Sequence, residues 1–543
     1  MKVDPAQFRD KRIFDYLYRH AGSAPGKLAL SNGNAGYSYR ELLLQVEACA
    51  RGLLASGVNK GDRVATLSPP HPDYFIIFLA TSAIGGIWVG LNSRYTRAEL
   101  EHVIADSEPC VIFARTRIGA RDYREDLRYF QGRIDSVKHI VTLDEDAGLP
   151  GAVSYRDFLA RQAEASIAAL AAAQKNVVSD DAALLVYTSG TTGKPKGALL
   201  HHYGAIRHCQ VQGSLRPAGE LRQLNAYPIN HIAGVIAGSV YGLVFGGTTY
   251  FLEKFDPATV LKLIEEKRIS AWGGVPVMLQ RVLDHPDFPG ADLSSVRVVA
   301  YSGGMVSKAL LERIVRDVCP AVATMYGLTE ATGTVTAVAA TDDVELLAET
   351  IGKPVADCEF RLADDAGKPV AKGEHGEIQL RGPFIMKGYW RLPEATREAI
   401  DEDGWLRTKD VALERDDGNI VLVGRLSDMY KSGGYNVYPS EIEQALEAHP
   451  SVNLACVVGV PDTAYGEVGY AFVTPALGQS PDSRALLEHC RARLAGYKLP
   501  KHIIIEDELP VLANNKPDKR RLKAAARKAV APDAAQPRSS GPS

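Results

Sequence analysis

Residues 187–197 read Tyr-Thr-Ser-Gly-Thr-Thr-Gly-Lys-Pro-Lys-Gly and follow an apolar run, residues 181–187, that is typical of a buried strand. Glycines let backbone N–H groups approach an anion closely, and serine, threonine and lysine side chains add donors and positive charge. The stretch therefore predicts a loop that binds a polyphosphate. The alternative is a flexible surface turn, which the density of hydroxyl groups, glycines and lysines after a buried strand disfavours.

This loop differs from the Walker type, which has four residues between its glycines and then enters a helix through Lys-Ser/Thr. Here only Thr191 and Thr192 separate Gly190 from Gly193. Pro195 disfavours a helical conformation at the residue before it. We therefore expect the chain to turn back into a second strand, at 197–200, with no helix dipole behind the phosphates.

The composition indicates an enzyme with more than one domain. The chain has 543 residues, which exceeds a single hydrophobic core, with 46% hydrophobic and 23% charged residues. A net charge of −3 gives no general attraction to nucleic acid or to an anionic membrane. The seven cysteines are dispersed and form no Cys-x-x-Cys pair, so neither a zinc site nor a disulfide framework is indicated. With no apolar run among the first twelve residues, we expect a cytoplasmic protein.

Two uncharged runs, 74–93 and 232–252, are each about as long as a membrane span. Each is interrupted by a pair of glycines, Gly85-Gly86 in the first and Gly246-Gly247 in the second. We interpret each run as a buried helix that stops at glycine and is followed by a buried strand, as in a sheet covered on both faces. No membrane span is predicted.

Helical and strand patterns alternate along most of the chain. Helices are predicted at 39–54 and 257–267, and strands at 63–67, 269–272 and 296–301. The fold class is therefore α/β, with a large N-terminal domain of helix-covered, mostly parallel sheets over 1–424. Shorter strands, such as 378–381 and 419–423, predict a β-rich subdomain at about 350–424.

After Gly424 the sequence becomes polar and rich in glycine, and a helix is predicted to open at Pro439. We place a domain boundary there, with a small α+β C-terminal domain over 425–530. Residues 531–543 contain too few apolar side chains to fold and are predicted to be a disordered tail.

The loop at 187–197 closely resembles the phosphate-loop signature of the adenylate-forming (AMP-binding) superfamily, which includes acyl-CoA synthetases, carrier-protein adenylation domains and luciferases. Further segments resemble its motifs in the same order: Tyr326–Glu330 resembles YGxTE, Gly404–Asp410 resembles GWxxTGD, and Gly424-Arg425 with 432–443 resembles the hinge segment. The resemblance covers nearly the whole chain and points to the acyl-CoA synthetase branch. It implies that the C-terminal domain is a mobile lid.

For the nucleotide, the resemblance implies an ATP- and AMP-binding set: Thr188, Ser189, Gly190, Thr191, Thr192, Gly193, Lys196, Gly303, Gly304, Tyr326, Gly327, Thr329, Asp410 and Arg425. Within it Glu330 would hold Mg²⁺, Tyr326 would lie against adenine, and Asp410 would accept hydrogen bonds from both ribose hydroxyls. The alternatives are a surface carboxylate for Glu330, a core tyrosine for Tyr326 and a surface ion pair for Arg425. Lys409 stands where the family commonly has glycine.

For the acid, the resemblance implies a pocket formed by His231, Ile232, Val235, Met305, Met325 and Gly333, with His231 beside the carboxylate. The family usually has Ala-Pro in place of Met305-Val306. No aspartate follows His231 to pair with an ammonium group, so we expect an acid that is uncharged beyond its carboxylate. The absence of a tryptophan at Val235-Ile236 favours a medium-chain or ring-containing acid over a long-chain one.

For catalysis, the resemblance assigns Lys516 as the lysine that bridges carboxylate and α-phosphate, with Thr188, Glu330 and His231 as further catalytic residues. Residues 509–516 resemble LPxTxTGK, although Asn514-Asn515 replace Thr-Gly. The alternative is that Lys516 belongs to a solvated basic helix.

In the small domain, Ser427 occupies the hinge position, where Asp or Lys is usual. Ser432, Gly433, Gly434 and Tyr435 would line the way for the pantetheine arm of coenzyme A. For the glycines, the alternative is an ordinary β-turn.

The predicted activity is that of an ATP-dependent acid–CoA ligase that uses Mg²⁺ and CoA. A medium-chain fatty, aryl or alicyclic acid becomes an acyl-adenylate with release of pyrophosphate, and its acyl group then passes to the thiol of CoA. The main alternative is a stand-alone adenylation enzyme that loads a carrier protein or another acceptor. Two further classes are a luciferase-like oxygenase and a non-catalytic ATP-binding module. Release of pyrophosphate would exclude the ATP-binding module. The expected partners are the acid, ATP and CoA, with no nucleic acid, and the expected assembly is a monomer or a homodimer.

Overall fold

The protein is described by a computed structural model, which covers residues 10–33, 35–144, 148–188, 194–304, 306–476, 478–511 and 517–530. The chain forms two compact units. Unit 1 consists of Met1–Arg361 with Gln379–Thr408, and unit 2 of Leu362–Ile378 with Lys409–Ser543. The last division between the units falls at Thr408/Lys409, and the predicted domain boundary at 424/425 stays a prediction. The predicted tail at 531–543 lies outside the described residues.

The helices of unit 1 cover its sheets. The Ser38 hydroxyl group accepts a hydrogen bond from the backbone N–H of Glu41, which starts the second helix where the sequence predicts one. The helices are α1 (Ile13–Ser23), α2 (Tyr39–Ala55), α3 (Pro72–Ala83), α4 (Arg97–Ser107), α5 (Arg124–Arg133), α6 (Tyr155–Ala160), α7 (Ile167–Lys175), α8 (His202–Ser214), α9 (Tyr241–Val244), α10 (Pro257–Lys267), α11 (Pro276–Leu283), α12 (Lys308–Asp317), α13 (Val344–Glu349) and α14 (Pro393–Ala399). A π-helix, Ala233–Val240, leads into α9. Short 3₁₀ turns lie at Arg161–Glu164, Phe288–Gly290 and Thr329–Ala331.

The strands of unit 1 are β1 (Leu28–Ser31), β2 (Gly36–Ser38), β3 (Arg63–Leu67), β4 (Ile87–Leu91), β5 (Pro109–Ala114), β6 (Arg117–Ile118), β7 (Arg121–Asp122), β8 (His139–Thr142), β9 (Val153–Ser154), β10 (Ala182–Thr188), β11 (Lys196–His201), β12 (Arg222–Asn225), β13 (Thr248–Phe251), β14 (Ala271–Gly274), β15 (Val298–Ser302), β16 (Val322–Leu328), β17 (Gly333–Thr341) and β18 (Lys353–Pro354). The chain then passes between the units through β19 (Glu359–Ala363), β20 (Gly376–Arg381) and β21 (Leu406–Glu414), each of which has residues in both.

Two large sheets organise unit 1. One has the order β18-β17-β16-β15-β14-β12-β13-β1-β2, and the other has the order β11-β10-β4-β3-β5-β8-β9. Strands β14, β15 and β16 run parallel, as do β3, β4 and β5, whereas β16–β17 and β10–β11 are antiparallel. The prediction of helix-covered, mostly parallel sheets is confirmed. Their apolar side chains are buried against the covering helices, and this burial is the main stabilising contribution.

The two uncharged runs fold as predicted. Residues 74–93 form most of α3 and the whole of β4, and 232–252 form the π-helix, α9 and β13. Gly85 (φ 79°) and Gly246 (φ 62°) adopt the left-handed conformation at the points where the helices stop. Within the described ranges, no helix combines the length and the apolar character that crossing a bilayer requires.

Unit 2 has an α+β fold. Its further strands are β22 (Ile420–Arg425), β23 (Tyr430–Ser432), β24 (Tyr435–Val437), β25 (Val452–Asp462), β26 (Gly466–Pro475) and β27 (His502–Ile505), and its helices are α15 (Pro439–Glu447), α16 (Ser483–Arg491), α17 (Lys519–Val530) and a 3₁₀ turn at Gly496–Lys498. The sheet order is β24-β23-β26-β25, with β27 beside β26. Alternate residues of β25 face opposite sides, so Val457 packs with α15 and α16, whereas Val458 packs with α17.

Candidate active site

The phosphate loop is carried by an antiparallel hairpin of unit 1. Thr188, the last residue of β10, pairs with Lys196, the first residue of β11. The predicted return into a strand after Pro195 is therefore confirmed. Ser189, Gly190, Thr191, Thr192 and Gly193 lie outside the described residues, and their roles stay predictions.

The end of β10 meets the turn that follows β16. Glu330 lies in the 3₁₀ turn Thr329–Ala331, and its Oε1 accepts a hydrogen bond of 3.4 Å from the hydroxyl group of Thr188. The backbone carbonyl of Glu330 accepts a bond of 2.8 Å from the N–H of Met386. Two residues that are 142 positions apart, and that the sequence assigns to the same ATP site, are thus in contact.

A tyrosine that the sequence analysis missed completes this contact. The hydroxyl group of Tyr389 donates a hydrogen bond of 2.8 Å to Oε1 of Glu330, and the ammonium group of Lys196 lies 4.6 Å from the centre of the Tyr389 ring. Residues 388–390 run along β11, where the N–H of Trp390 donates to the carbonyl of Gly197 at 2.7 Å. Burial and the Glu330 carboxylate raise the pKa of Tyr389 well above its ordinary value, so the phenol stays protonated.

The oxygen atoms of Glu330 and Thr188 fit Mg²⁺, which prefers hard oxygen ligands and retains waters and substrate phosphates in its coordination shell. Among the described residues, no group of three or more His, Cys, Asp or Glu side chains is placed to hold a metal ion. The arrangement fits a magnesium ion that one carboxylate and the phosphates of ATP would share.

The carboxyl ends of two neighbouring parallel strands carry the predicted adenine site. Strand β15 ends just before Gly303 and Gly304, and β16 contains Tyr326 and Gly327. Gly303 has a φ of 84°, which favours glycine. A Cβ atom at Gly327 would lie 2.0 Å from the carbonyl oxygen of Gly333, so this position excludes a side chain. Ligands of open α/β sheets bind at such strand ends.

The predicted acyl pocket is only partly assembled by the described residues. His231 is exposed, and its Nδ1 accepts a hydrogen bond of 3.1 Å from the N–H of Ala233 at the start of the π-helix. Ile232 precedes this helix, and Val235 is buried within it. π-Helical turns are frequent at functional sites. Of the two predicted pocket methionines, Met325 lies in β16, whereas Met305 lies outside the described residues.

The backbone at Gly333 lies so close to helix α8 that a side chain has no room there. Its φ is 121°, and a Cβ atom there would lie 2.2 Å from Nδ1 of His208. The same Nδ1 accepts a hydrogen bond of 3.0 Å from the N–H of Thr334. The predicted pocket residue Gly333 is therefore next to a histidine that the sequence analysis did not consider.

In unit 2, the predicted ribose ligands form an ion pair across β21 and β22. Nε of Arg425 donates a hydrogen bond of 2.7 Å to Oδ1 of Asp410, whose side chain is only 3% exposed, whereas that of Arg425 is 57% exposed. The ion pair considered as the alternative for Arg425 is thus present. Lys409, at the position where the family commonly has glycine, has a φ of 64°. Its N–H donates to Oε1 of Glu377 at 2.9 Å.

The predicted hinge residue, Ser427, is exposed, and its hydroxyl group donates a hydrogen bond of 3.2 Å to Oδ1 of the neighbouring Asp428. Lys516 lies outside the described residues. Val511 and Pro517, which flank it, form a β-bridge. The roles of Ser427 and Lys516 stay predictions.

The predicted CoA-binding stretch forms a tight hairpin. Ser432 pairs with Tyr435 across Gly433 and Gly434, whose φ angles of 58° and 88° are typical of a two-residue type I′ turn. The ordinary β-turn considered as the alternative is therefore what the backbone adopts. Tyr435 is exposed and stacks on Tyr497, with 4.5 Å between the ring centres. A role of this exposed face in binding CoA stays a prediction.

Comparison with known families gives the same assignment along most of the chain. Residues 17–390 match the family model described as AMP-binding enzyme, and residues 441–516 match the model described as AMP-binding enzyme C-terminal domain. The chain belongs to the AMP-binding enzyme family.

Relatives within this family are CoA ligases. The chain is 38% identical to a feruloyl-CoA synthase of Amycolatopsis sp over 517 residues, which are 94% of this chain and 98% of the relative. It is 35% identical to the 3-[(3aS,4S,7aS)-7a-methyl-1,5-dioxo-octahydro-1H-inden-4-yl]propanoyl:CoA ligase of Mycobacterium tuberculosis, over 93% of this chain and 97% of the relative. This AMP-binding enzyme is an AMP-forming acid–CoA ligase that uses ATP and CoA.

Its fold is shared with a solved ligase structure. The crystal structure of the anthranilate CoA ligase AuaEII in complex with anthranoyl-AMP has a TM-score of 0.86 and 24% sequence identity to this AMP-binding enzyme, covering 97% of this chain and 100% of that chain. The predicted fold class, a large domain of helix-covered sheets and a smaller C-terminal domain, is confirmed.

Proposed function

We propose that this ligase activates a ring-containing carboxylic acid, aryl or alicyclic, at the junction of β10, β11 and the turn after β16, and then transfers the acyl group to CoA. The observation that carries the proposal is the contact among Thr188, Glu330 and Tyr389, with Lys196 on the tyrosine ring. A carboxylate, two hydroxyl groups and a cation thus lie together at the ends of β10 and β11.

The first half-reaction joins two anions, so its main requirement is neutralisation of charge. An oxygen of the substrate carboxylate attacks the α-phosphorus of ATP, and the bond from that phosphorus to the bridging oxygen breaks as pyrophosphate leaves. Lys196 and the hydroxyl group of Thr188 stabilise the outer phosphates, and Lys516 stabilises the charge between carboxylate and α-phosphate. Glu330 would hold Mg²⁺, which would supply further positive charge there.

The second half-reaction uses the same acyl group. The sulfur of CoA attacks the acyl carbon as a thiolate, the bond to the AMP oxygen breaks, and AMP leaves with the electron pair. Asp410 keeps the ribose of AMP in place, and the exposed hairpin at 432–435 guides the pantetheine arm. We expect the hinge at Ser427 to bring unit 2 residues to the site in turn for the two steps.

The ring-containing substrate is supported by the residues around His231 and by the relatives. Val235, Ile236 and Val240 of the π-helix are buried and apolar. The names of the two relatives specify a phenylpropenoic acid and a bicyclic alkanoic acid. Seven free cysteines fit the predicted cytoplasmic location, and we expect a monomer or a homodimer.

A panel of acids in a pyrophosphate-release assay tests the proposal. Aryl and alicyclic propanoates, medium-chain fatty acids and amino acids are each incubated with Mg-ATP, with and without CoA, and the thioester is measured by chromatography. We expect release of pyrophosphate with ring-containing acids and a matching amount of acyl-CoA. A Glu330→Gln variant is the control that should release no pyrophosphate. Release of pyrophosphate without any acyl-CoA would favour the alternative acceptor, and no pyrophosphate with any acid would refute the proposed function.

A further inference from the structure

Helix α8 and the residues just beyond it carry three polar side chains at intervals of four residues: His208, Gln212 and Arg216. This spacing places His208 and Gln212 along one side of the helix, and Arg216 lies two residues beyond its end. Side chains on a solvent-facing stripe are expected to be exposed, but His208 is 7% exposed and Gln212 is 3% exposed. His208 and Gln212 are therefore buried polar side chains, and buried polar groups normally have hydrogen-bond partners.

Gln212 has no such partner. Its Oε1 atom is buried without any hydrogen bond, and within the described ranges its amide nitrogen also makes none. An amide in an apolar interior without partners is destabilising, because it has given up its hydrogen bonds to water. The site therefore has a specific position for a hydrogen-bonding group that does not belong to the described chain.

His208 carries a second unpaired group on the same side of α8. Burial and the charges of Arg207 and Arg216 lower the pKa of His208 to about 3, so the ring is neutral at physiological pH. Because Nδ1 accepts the hydrogen bond from Thr334, the ring proton is on Nε2. No described residue accepts a hydrogen bond from this N–H group, which leaves a fixed, neutral donor.

Arg216 adds a cation without a carboxylate partner. Its Nε atom is buried and unpaired, its guanidinium lies 4.7 Å from the centre of the Tyr241 ring, and no described carboxylate pairs with it. Arg207 on the same helix shows the contrast, since its guanidinium binds both oxygens of Asp357, with Nε and Oδ2 2.7 Å apart. Arg216 is half-buried and forms a hydrogen bond with Tyr241, but no described carboxylate balances its charge, so its guanidinium can also bind an oxygen of a ligand.

The three residues lie beside the predicted acyl pocket. Gly333 has no side chain where His208 approaches, and Sγ of Cys209 lies 3.9 Å from the carbonyl oxygen of Ile236, next to the pocket residue Val235. The charge of Arg216 also acts on Tyr227, which begins the segment that contains His231. A substrate that enters at His231 and extends along the π-helix would reach this side of α8 with its far end.

We propose that His208, Gln212 and Arg216 form the distal end of the acyl site and bind an oxygen atom carried by the far end of the ring-containing acid. The oxygen belongs to a ketone or a phenol, so the acid stays uncharged beyond its carboxylate. Both groups accept hydrogen bonds from the N–H groups of these residues, and a phenol can also donate one to Oε1 of Gln212. The proposal rests on the proposed function and specifies its substrate class. It makes the three residues determinants of specificity, since a site built around a substrate oxygen discriminates strongly against an analogue that lacks it.

The test compares acids of equal shape with and without that oxygen. The pairs are para-hydroxyphenylpropanoate with para-methylphenylpropanoate, and a cyclohexanone propanoate with its methylene analogue. Pyrophosphate release gives the ratio of kcat/KM within each pair, and the pair with the largest ratio identifies the source of the oxygen. We expect the wild-type ratio to be about tenfold or more in at least one pair.

Variants test whether the preference for the oxygen-bearing acid depends on these three residues. Arg216→Met and Gln212→Leu are each expected to reduce the ratio about tenfold, whereas Arg216→Lys retains part of it. Gln210→Leu, at a partly exposed position of the same helix, is the matched control and should keep the wild-type ratio. The melting temperature of each variant separates loss of specificity from loss of folding, and the wild-type ratios stand even where a variant does not fold.

The outcomes separate the two proposals. Pyrophosphate release with wild-type ratios near one in every pair would overturn this inference and leave the proposed function intact, as would ratios unchanged in both Arg216→Met and Gln212→Leu. The absence of release with all acids would refute the proposed function and this inference with it.

Discussion

The hydroxyl group of Tyr389 donates a hydrogen bond of 2.8 Å to Oε1 of Glu330, although the two residues are 59 positions apart in the chain. The ammonium group of Lys196 lies 4.6 Å from the centre of the same phenol ring, in a cation–π contact. One side chain therefore orients both the carboxylate that we assign to Mg²⁺ and a cation that we assign to the outer phosphates of ATP.

Removal of this hydroxyl group should weaken the binding of Mg-ATP. A hydrogen bond to a charged group contributes about 1.5–3 kcal/mol, so we expect Tyr389→Phe to raise the KM for Mg-ATP in acid-dependent ATP–pyrophosphate exchange by about tenfold or more. The matched control is Tyr18→Phe, since Tyr18 donates a bond of 2.7 Å to Glu47 on the surface, away from the assigned site residues. Equal KM values for Tyr389→Phe and wild type would show that Tyr389 has no orienting role.

Substitution of the predicted catalytic lysine should separate the two half-reactions. We expect Lys516→Ala to lower the rate of adenylation by at least about a hundredfold, because the charge between carboxylate and α-phosphate loses its stabilisation. Transfer from a supplied acyl-adenylate to CoA should change little. Lys523→Ala, in the basic helix α17, is the control and should keep both rates. If Lys516→Ala loses both half-reactions equally, the assignment of Lys516 to adenylation is wrong.

The left-handed conformation of Lys409 predicts a stabilising substitution. A residue with a side chain costs roughly 1–2 kcal/mol at a φ of 64°, and glycine does not. We expect Lys409→Gly to raise the apparent unfolding midpoint in urea, by an amount that corresponds to about 1 kcal/mol, and Lys409→Val to lower it. Lys431→Gly, in strand β23, is the comparison and should be destabilising. A lower midpoint for Lys409→Gly than for wild type would show that the backbone at Lys409 is not strained.

A carboxyl group on α15 should make unit 2 sensitive to pH. Burial, opposed by the hydrogen bond of 2.9 Å from the N–H of Ala455, raises the pKa of Glu447 from 4.5 to about 8, and nearby Glu443 raises it further. Because the folded-state pKa is above the unfolded one, the contribution of Glu447 to the free energy of unfolding is complete below a pH of about 4.5. It is lost as the pH rises through about 8, with a slope of at most about 1.4 kcal/mol per pH unit.

We therefore expect amide exchange in β25 to become faster between pH 5 and 8, after correction for intrinsic rates, and Glu447→Gln to remove most of this dependence. The glutamine keeps an acceptor for Ala455 but does not ionise. Glu488→Gln, at an exposed position of α16, should behave like wild type. A Glu447→Gln profile that follows the wild-type one would mean that another group titrates.

The sequence predicts the elements and motifs better than it predicts the contacts among them. The period of α2 and the turn forced by Pro195 are local properties, so the helix and the β10–β11 hairpin could be predicted. The contact of Tyr389 with Glu330 arises because residues 388–390 run beside β11, and nothing in the local sequence indicates that pairing. The polar spacing at His208 and Gln212 is typical of a solvated helix face, and it is buried because the π-helix, α9 and β17 pack against α8.

The pairing of Thr188 with Lys196 limits how this turn can change during evolution. Side chains alternate between the two faces of a strand, so inserting or deleting one residue within β10 or β11 would send the threonine hydroxyl and the lysine ammonium to opposite faces. Homologous enzymes should therefore differ in β10 and β11 by substitution and keep the length of each strand, and sequence alignments should show no gaps within them.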